Sequence, residues 1–227
     1  MPIIYDEDKD KISLFGKIRK LKSTLDLQPF FLLVRPNKTI YKHESARKIF
    51  EEKIDEIIKL GIKNLEVPWE DSDDWLNLMS NLKSKYPFLQ IGSASLINKK
   101  SIDDSIKLGL DFSMMRFWDK ELFLYSKENN YLLIPGLNQL KEFNDANFCK
   151  CQIVKIFPVK LKNKDIEIRK YADITFIGAG DLSINNLKEF KKIGYKGIVI
   201  GKKGFNDNQV NPEIISWLKK NNSFKNI

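Results

Sequence analysis

The stretch QIVKIF, Gln152–Phe157, is an apolar run of strand length with one charged residue, Lys155, inside it. Seven further runs of similar length recur along the chain, and helical patterns of period 3.6 lie between them. These runs are Phe30–Arg35, Asn64–Val67, Leu89–Ser93, Phe112–Met115, Tyr131–Ile134, Ile174–Ile177 and Gly197–Ile200. Eight strand–helix units with short loops and no linker predict one closed (β/α)8 barrel of the TIM-barrel class.

An open doubly wound sheet is the competing fold for this alternation. Such a sheet usually carries a glycine-rich dinucleotide turn after its first strand, and here that turn is Pro36-Asn37-Lys38. The barrel is therefore expected, as a single domain over residues 29–227. Ahead of it, apolar residues at spacings of three and four predict an extra amphipathic helix within residues 1–28. We interpret this helix as closing the bottom of the barrel.

The net charge of +9 is spread over nearly every predicted helix, with acidic neighbours beside the lysines. A nucleic-acid-binding protein would concentrate its positive charge in a stripe with interleaved aromatic residues. The sequence has no such stripe, so we expect no nucleic-acid partner. We also expect no signal peptide and no membrane partner, because no apolar run approaches the roughly 20 residues that cross a bilayer. A cytoplasmic protein is the resulting prediction.

The only histidine is His43, at the predicted start of a helix with a polar face. Catalytic triads of the serine and cysteine hydrolases, and zinc sites with histidine ligands, need imidazole at the site. A surface position is the expected one for His43, which argues against most hydrolase chemistry. We predict neither a metal nor an organic cofactor.

Lys155 is the residue that most strongly indicates chemistry. In a barrel the active site forms at the C-terminal ends of the strands, and Lys155 lies late in the sixth predicted strand. Desolvating an ammonium among apolar neighbours is costly, so a lowered pKa is expected. A neutral amine is what a Schiff-base nucleophile requires. A lysine that only pairs with a carboxylate, or that extends out of the barrel, is the alternative interpretation.

Glu66 is the predicted partner of Lys155. It lies late in the second strand, and the ends of the second and sixth strands project into one barrel mouth. A buried carboxyl group beside an amine can move protons during carbinolamine and enamine chemistry. A buried ion pair without catalysis is the alternative.

Other strand ends offer groups for an anionic substrate. Arg35 ends the first strand and can bind a carboxylate in bidentate fashion, and Ser95 follows the third strand. Phosphate commonly binds to the loops after strands seven and eight of a barrel. In this chain those loops contain Gly178, Ala179 and Gly180, and then Gly201, Lys202 and Lys203.

Four segments, in order along the chain, resemble the 2-keto-3-deoxy-6-phosphogluconate (KDPG) and 4-hydroxy-2-oxoglutarate aldolases. The most specific is Val154–Pro158, which resembles the family's Lys-Phe-Phe-Pro or Lys-Leu-Phe-Pro segment. The other three are Phe31–Asn37, Gly61–Val67 with its glutamate, and Tyr131–Gly136 with an Ile-Pro-Gly signature. The family consists of class I lyases on a (β/α)8 barrel.

The resemblance implies reversible cleavage of a 2-keto-4-hydroxy acid to pyruvate and an aldehyde. Lys155 would form the imine, Glu66 would move protons through water, and Arg35 would hold the pyruvoyl carboxylate. Ser95, Pro135, Gly136 and Phe157 match segments that contribute to the family's substrate site. The implied partners are a keto acid, with or without a phosphate group, and two further copies of the chain in a homotrimer.

The loops that shape the substrate site depart from the family pattern. The Ser-Pro element after strand four is replaced by Met115–Phe117, and Thr-Gly-Gly after strand seven by Ala179–Asp181. Gly-Gly-Ser after strand eight reads Gly201–Lys203. KDPG is the first predicted substrate and 4-hydroxy-2-oxoglutarate the second. The alternatives are a catalytically weakened barrel that binds an anionic metabolite or a protein, a metal-dependent class II aldolase, and an RNA-binding protein.

Overall fold

The computed structural model describes residues 13–41, 43–159 and 168–222. The helices are α1 Leu14–Leu27, α2 Glu44–Lys59, α3 Asp73–Lys85, α4 Lys99–Lys107, α5 Lys120–Glu128, α6 Leu140–Phe148, α7 Leu187–Ile193 and α8 Pro212–Asn222. The strands of the main sheet are β1 Phe30–Leu33, β2 Asn64–Pro68, β3 Gln90–Leu96, β4 Phe112–Met115, β5 Leu133–Ile134, β6 Gly136–Leu137, β7 Ile153–Ile156, β8 Thr175–Ala179 and β9 Gly197–Ile200. A short hairpin, β10 Phe205–Asn206 and β11 Gln209–Val210, precedes α8. Of these described helices, none is both long and apolar enough to cross a bilayer.

The main sheet is parallel throughout, in the order β5-β4-β3-β2-β1-β9-β8-β7-β6. Its two edge segments, β5 and β6, are separated only by Pro135 and form two halves of one barrel strand. Proline has no N–H to donate, so the ladder is interrupted there, while the Pro135 carbonyl accepts the Lys155 N–H at 2.8 Å. The predicted (β/α)8 barrel is confirmed, with a fifth strand that extends beyond Tyr131–Ile134 to Leu137.

Residues on alternate positions of the strands point into the barrel, as the two-residue period of a strand requires. The interior cluster contains Phe31, Phe112, Met114, Leu132, Ile134, Ile153, Ile177, Ala179 and Val199. Three buried residues of α1, Ile18, Leu21 and Leu25, belong to the same cluster. A Cβ on Gly197, the first residue of β9, would lie 2.9 Å from Leu25. Helix α1 therefore packs against the N-terminal ends of the strands, and the opposite end of the barrel is left open.

The remaining helices pack on the outside of the barrel through apolar faces. In α3, Trp75, Leu78, Met79 and Leu82 are buried at the spacing that places them on one face. Ser72 caps this helix by accepting the Trp75 N–H, and Asp73 and Asp74 lie in its first turn, where carboxylates interact favourably with the helix dipole. The sequence thus specifies both the start of the helix and the face that it buries.

Phe31 in the barrel interior is expected to contribute strongly to stability. Its ring packs edge-on against Phe112, with centroids 5.2 Å apart, and is completely buried. We expect Phe31→Ala to lower the free energy of unfolding by about 3–5 kcal/mol, because the substitution leaves a cavity that the barrel cannot close. Denaturant unfolding measures this. The matched control is Phe148→Ala, whose side chain is 82% exposed and should change stability by less than about 0.5 kcal/mol. Equal effects of the two substitutions would contradict the packing argument.

Candidate active site

A pocket of about 360 Å³ lies at the C-terminal ends of the barrel strands. Most of the residues predicted from the sequence line it, contributed by strands that are far apart in the chain. They are Arg35, Glu66, Ser95, Lys155, Phe157, Ala179, Gly180, Gly201, Lys202 and Lys203. The structure therefore gathers ten of the thirteen predicted positions around one cavity.

Lys155 points into the pocket because it lies two residues from Ile153 and two from Phe157, which follows β7, and every second residue of a strand faces the same side. Its side chain is only 8% exposed. Burial lowers the pKa of the Lys155 amine, the negative charge of Glu66 opposes that shift, and the positive charge of Arg116 adds to it. The amine is therefore closer to its neutral, nucleophilic form than an exposed lysine would be.

Glu66 enters the same pocket from β2 and is 1% exposed. Burial raises the pKa of its carboxyl group, while the charges of Lys155 and Arg35 work in the opposite direction. Its Oε1 has no hydrogen-bond partner among the described residues. A buried polar atom without a partner is costly, so this oxygen is placed to interact with a ligand or with water.

The arrangement of Lys155 and Glu66 differs from that of a structural ion pair. Within the described part of the chain, no hydrogen bond or salt bridge joins Lys155 Nζ to Glu66, although the charge of each shifts the pKa of the other. The ring centroid of Phe157 lies 5.8 Å from Nζ of Lys155. The two groups can exchange a proton through a molecule bound between them, which suits acid–base chemistry on a ligand.

Arg116 lines the pocket and was missed as a binding residue by the sequence interpretation, which noted Met115–Phe117 only as a departure from the family pattern. Its Cζ lies 5.4 Å from the ring centroid of Phe117 and 5.5 Å from that of Phe157. The available signal was its position directly after β4, equivalent to that of Arg35 near the end of β1. Leu33, Ala94, Asp181, Leu182 and Val199 also line the pocket.

The loops after β8 and β9 are joined by an ion pair. Lys203 Nζ lies 2.8 Å from Asp181 Oδ2 and donates to the Asp181 carbonyl at 2.7 Å. Gly180 and Asp181 both have positive φ, of 128° and 47°, which turns the chain sharply at this point. The carboxylate of Asp181 thus adds a negative charge beside one of the two lysines predicted to attract an anion here, in a pair that is exposed to solvent.

Ser95 occupies an irregular position of β3. The pairing register between β3 and β4 shifts between Ala94 and Leu96, and Ser95 has a φ of 64°. A bulge of this kind redirects a side chain at the end of a strand. It brings Ser95 to the pocket wall.

Three predicted positions do not line the pocket. A Cβ on Gly178 would lie 2.9 Å from the Phe190 ring of α7, so this glycine faces the outside of the barrel and permits helix packing. A Cβ on Gly136 would lie 2.2 Å from the carbonyl oxygen of Arg116, so the glycine permits close approach of two backbones. Pro135 holds the backbone of Lys155 through its carbonyl. These residues build the wall that supports the site.

His43 lies exposed at the start of α2, away from the pocket residues. Within residues 13–41, 43–159 and 168–222, no three His, Cys, Asp or Glu side chains come together as a metal-binding cluster.

These features define a class of protein: a (β/α)8 barrel with a buried lysine and a buried glutamate at its mouth. No protein-family model matches the chain. Over 134 residues it is 22% identical to 2-dehydro-3-deoxy-phosphogluconate aldolase of Pseudomonas aeruginosa, a match that spans 57% of this chain and 60% of that relative. The match thus covers less than two thirds of the relative's length.

Solved structures extend the similarity to nearly the whole chain. KDPG aldolase from Legionella pneumophila, with pyruvate captured as a covalent carbinolamine, has a TM-score of 0.70 at 15% identity, covering 88% of this chain and 95% of that one. The 2-keto-3-deoxy-6-phosphogluconate aldolase of Zymomonas mobilis with 3-phosphoglycerate has a TM-score of 0.68 at 15% identity, covering 92% and 97%. The fold is that of the KDPG aldolases, and the chain resembles one of them in sequence over 134 residues.

Proposed function

We propose that this protein is a class I aldolase that reversibly cleaves a 2-keto-4-hydroxy acid to pyruvate and an aldehyde. The observation that carries the proposal is the burial of Lys155 and Glu66 in one pocket with pKa values displaced in opposite directions. Such displaced pairs are a common feature of catalytic sites. The aldolases with the same fold supply the reaction class.

The imine forms on Lys155. Its neutral amine attacks the C2 carbonyl of the keto acid, and Glu66 supplies the proton with which the carbinolamine loses water. Glu66 then accepts the proton of the C4 hydroxyl. As the C3–C4 bond breaks, its electron pair moves into the imine, the aldehyde leaves and an enamine remains. Protonation of the enamine at C3 and hydrolysis of the resulting imine release pyruvate and regenerate the amine.

Arg35 and Ser95 are the proposed groups for the keto-acid end of the substrate. Arg35 has five N–H donors in a fixed fork, a geometry that matches a carboxylate. Its charge also favours ionisation of Glu66, so it acts on the proton carrier as well as on the substrate. Ser95 provides a hydroxyl at the pocket wall.

The test is reductive trapping. Incubation with pyruvate and sodium borohydride is expected to attach a pyruvate-derived adduct to the peptide that contains Lys155, as read by peptide mass spectrometry. Exposed lysines such as Lys48 on α2 serve as internal controls and should stay unmodified. The absence of an adduct at saturating pyruvate would overturn the proposal and favour a barrel that binds an anionic metabolite or a protein without this chemistry. Cleavage activity abolished by a chelator would instead indicate a class II mechanism.

KDPG is the first substrate that we propose and 4-hydroxy-2-oxoglutarate the second. The cytoplasmic location and the homotrimer remain predictions from the sequence. If the protein is a homotrimer, light scattering should give a molar mass three times the 26.5 kDa mass of the subunit.

A further inference from the structure

Two guanidinium groups stand on different sides of the pocket. Arg35 follows β1 and Arg116 follows β4, and the sheet order places β2 and β3 between these two strands. Lys155 and Glu66 also line this cavity of about 360 Å³. A ligand whose reacting carbon reaches Lys155 can therefore have one guanidinium near each of its ends.

The guanidinium of Arg116 is placed to bind a ligand. The rings of Phe117 and Phe157 lie near it, with centroids 5.4 and 5.5 Å from Cζ, and such cation–π contacts leave the N–H donors available to other partners. Phe157 also flanks Lys155 Nζ, so the guanidinium and the amine share one ring as a neighbour. Cations held this close repel each other, and an anion bound at Arg116 would offset that repulsion.

The loops after β8 and β9 are less suited to a second anion than the sequence suggested. Asp181 brings a carboxylate into the pocket lining, and Lys203 is engaged by that carboxylate and by the Asp181 carbonyl. Among the described pocket residues of these two loops, Lys202 is the one lysine not engaged by Asp181.

We infer that Arg116 binds a second anionic group of the substrate, a carboxylate or a phosphate at the end remote from the keto-acid carboxylate that Arg35 binds. Arg116, rather than the loops after β8 and β9, is then the residue that determines specificity for this second anion. The inference rests on the proposed function for the orientation of the substrate. Binding of a dianion to the pocket can be measured without turnover.

The test compares 2-oxoglutarate with 2-oxopentanoate, which differ only in that a terminal carboxylate replaces a methyl group. Calorimetry should show that the wild-type protein prefers the dianion by at least about 10-fold, and that Arg116→Met loses about 10- to 100-fold of this preference, the range expected for a hydrogen bond to a charged group. Arg116→Lys should retain part of the preference. The KM of KDPG cleavage, assayed on the same variants, reports a terminal phosphate, so the larger loss identifies the anion.

Lys202→Met is the competing arm. A preference lost in that variant and kept in Arg116→Met would place the anion at the loop after β9 and overturn the inference. A wild-type protein that discriminates neither dianion from 2-oxopentanoate would also overturn it. Pyruvate trapping separates the two proposals: an adduct in the wild type and in Arg116→Met, with an unchanged preference, refutes only the role of Arg116. If the wild type forms no pyruvate adduct but still prefers the dianion, only the aldolase chemistry is refuted.

Discussion

Lys155→Met is expected to lower kcat for aldol cleavage by at least about a thousand-fold and to abolish pyruvate trapping. The physical reason is that the thioether cannot form an imine, so the electron sink of the reaction is lost, and removal of a covalent nucleophile generally costs most of the rate enhancement. Steady-state assays of pyruvate release and borohydride trapping measure the two effects.

Loss of the fold should not be the cause. Lys155 is 8% exposed, and desolvation of its amine is the main reason for its lowered pKa. Removing one partner of a buried charged pair leaves the other uncompensated, but burial already raises the pKa of Glu66, so its carboxyl group can become neutral when Lys155 is lost. We therefore expect Lys155→Met to remain folded, which thermal unfolding checks. Lys48→Met, on the exposed face of α2, is the matched control and should keep full activity. Turnover within tenfold of the wild type in Lys155→Met would show that Lys155 is not the nucleophile.

Glu66→Gln is expected to lower kcat by about 10²- to 10⁴-fold, the usual contribution of a positioned general acid or base. The amide has nearly the shape of the carboxyl group but cannot transfer a proton. Because Oε1 of Glu66 makes no hydrogen bond to the described residues, the substitution breaks no described contact of that atom. Steady-state assays of cleavage, with thermal unfolding as a control for folding, measure the effect.

The pH dependence separates proton transfer from a simple charge effect. The negative charge of Glu66 raises the pKa of Lys155, so its removal should lower that pKa further and shift the midpoint of pyruvate trapping to lower pH. A larger fraction of the amine is then neutral at pH 7, yet turnover falls because the proton carrier is gone. Arg116→Met should move the same midpoint to higher pH, since Arg116 lowers the Lys155 pKa. Recovery of wild-type turnover in Glu66→Gln on lowering the pH by the same shift would show that Glu66 acts only through its charge.

The sequence alone determined the barrel and the two central residues. Apolar runs that alternate with amphipathic helical patterns are local signals, and eight of them in succession are compatible with few arrangements of layers. Lys155 and Glu66 were visible for the same reason. Each is a charged residue late in a strand whose neighbours must be buried, so its burial follows from the strand that contains it.

Tertiary structure decided how the mouth is built. Three features depend on which way each strand faces and on its neighbours across the barrel. They are the inward position of Arg116, the outward position of Gly178 and the approach of Gly136 to the Arg116 carbonyl. The ion pair of Asp181 with Lys203 joins two loops separated in sequence by a helix and a strand. A shift of one residue in strand register turns every side chain to the other face of the sheet. Contacts between distant segments exist only once the barrel has closed. No local pattern of residues therefore specifies either feature.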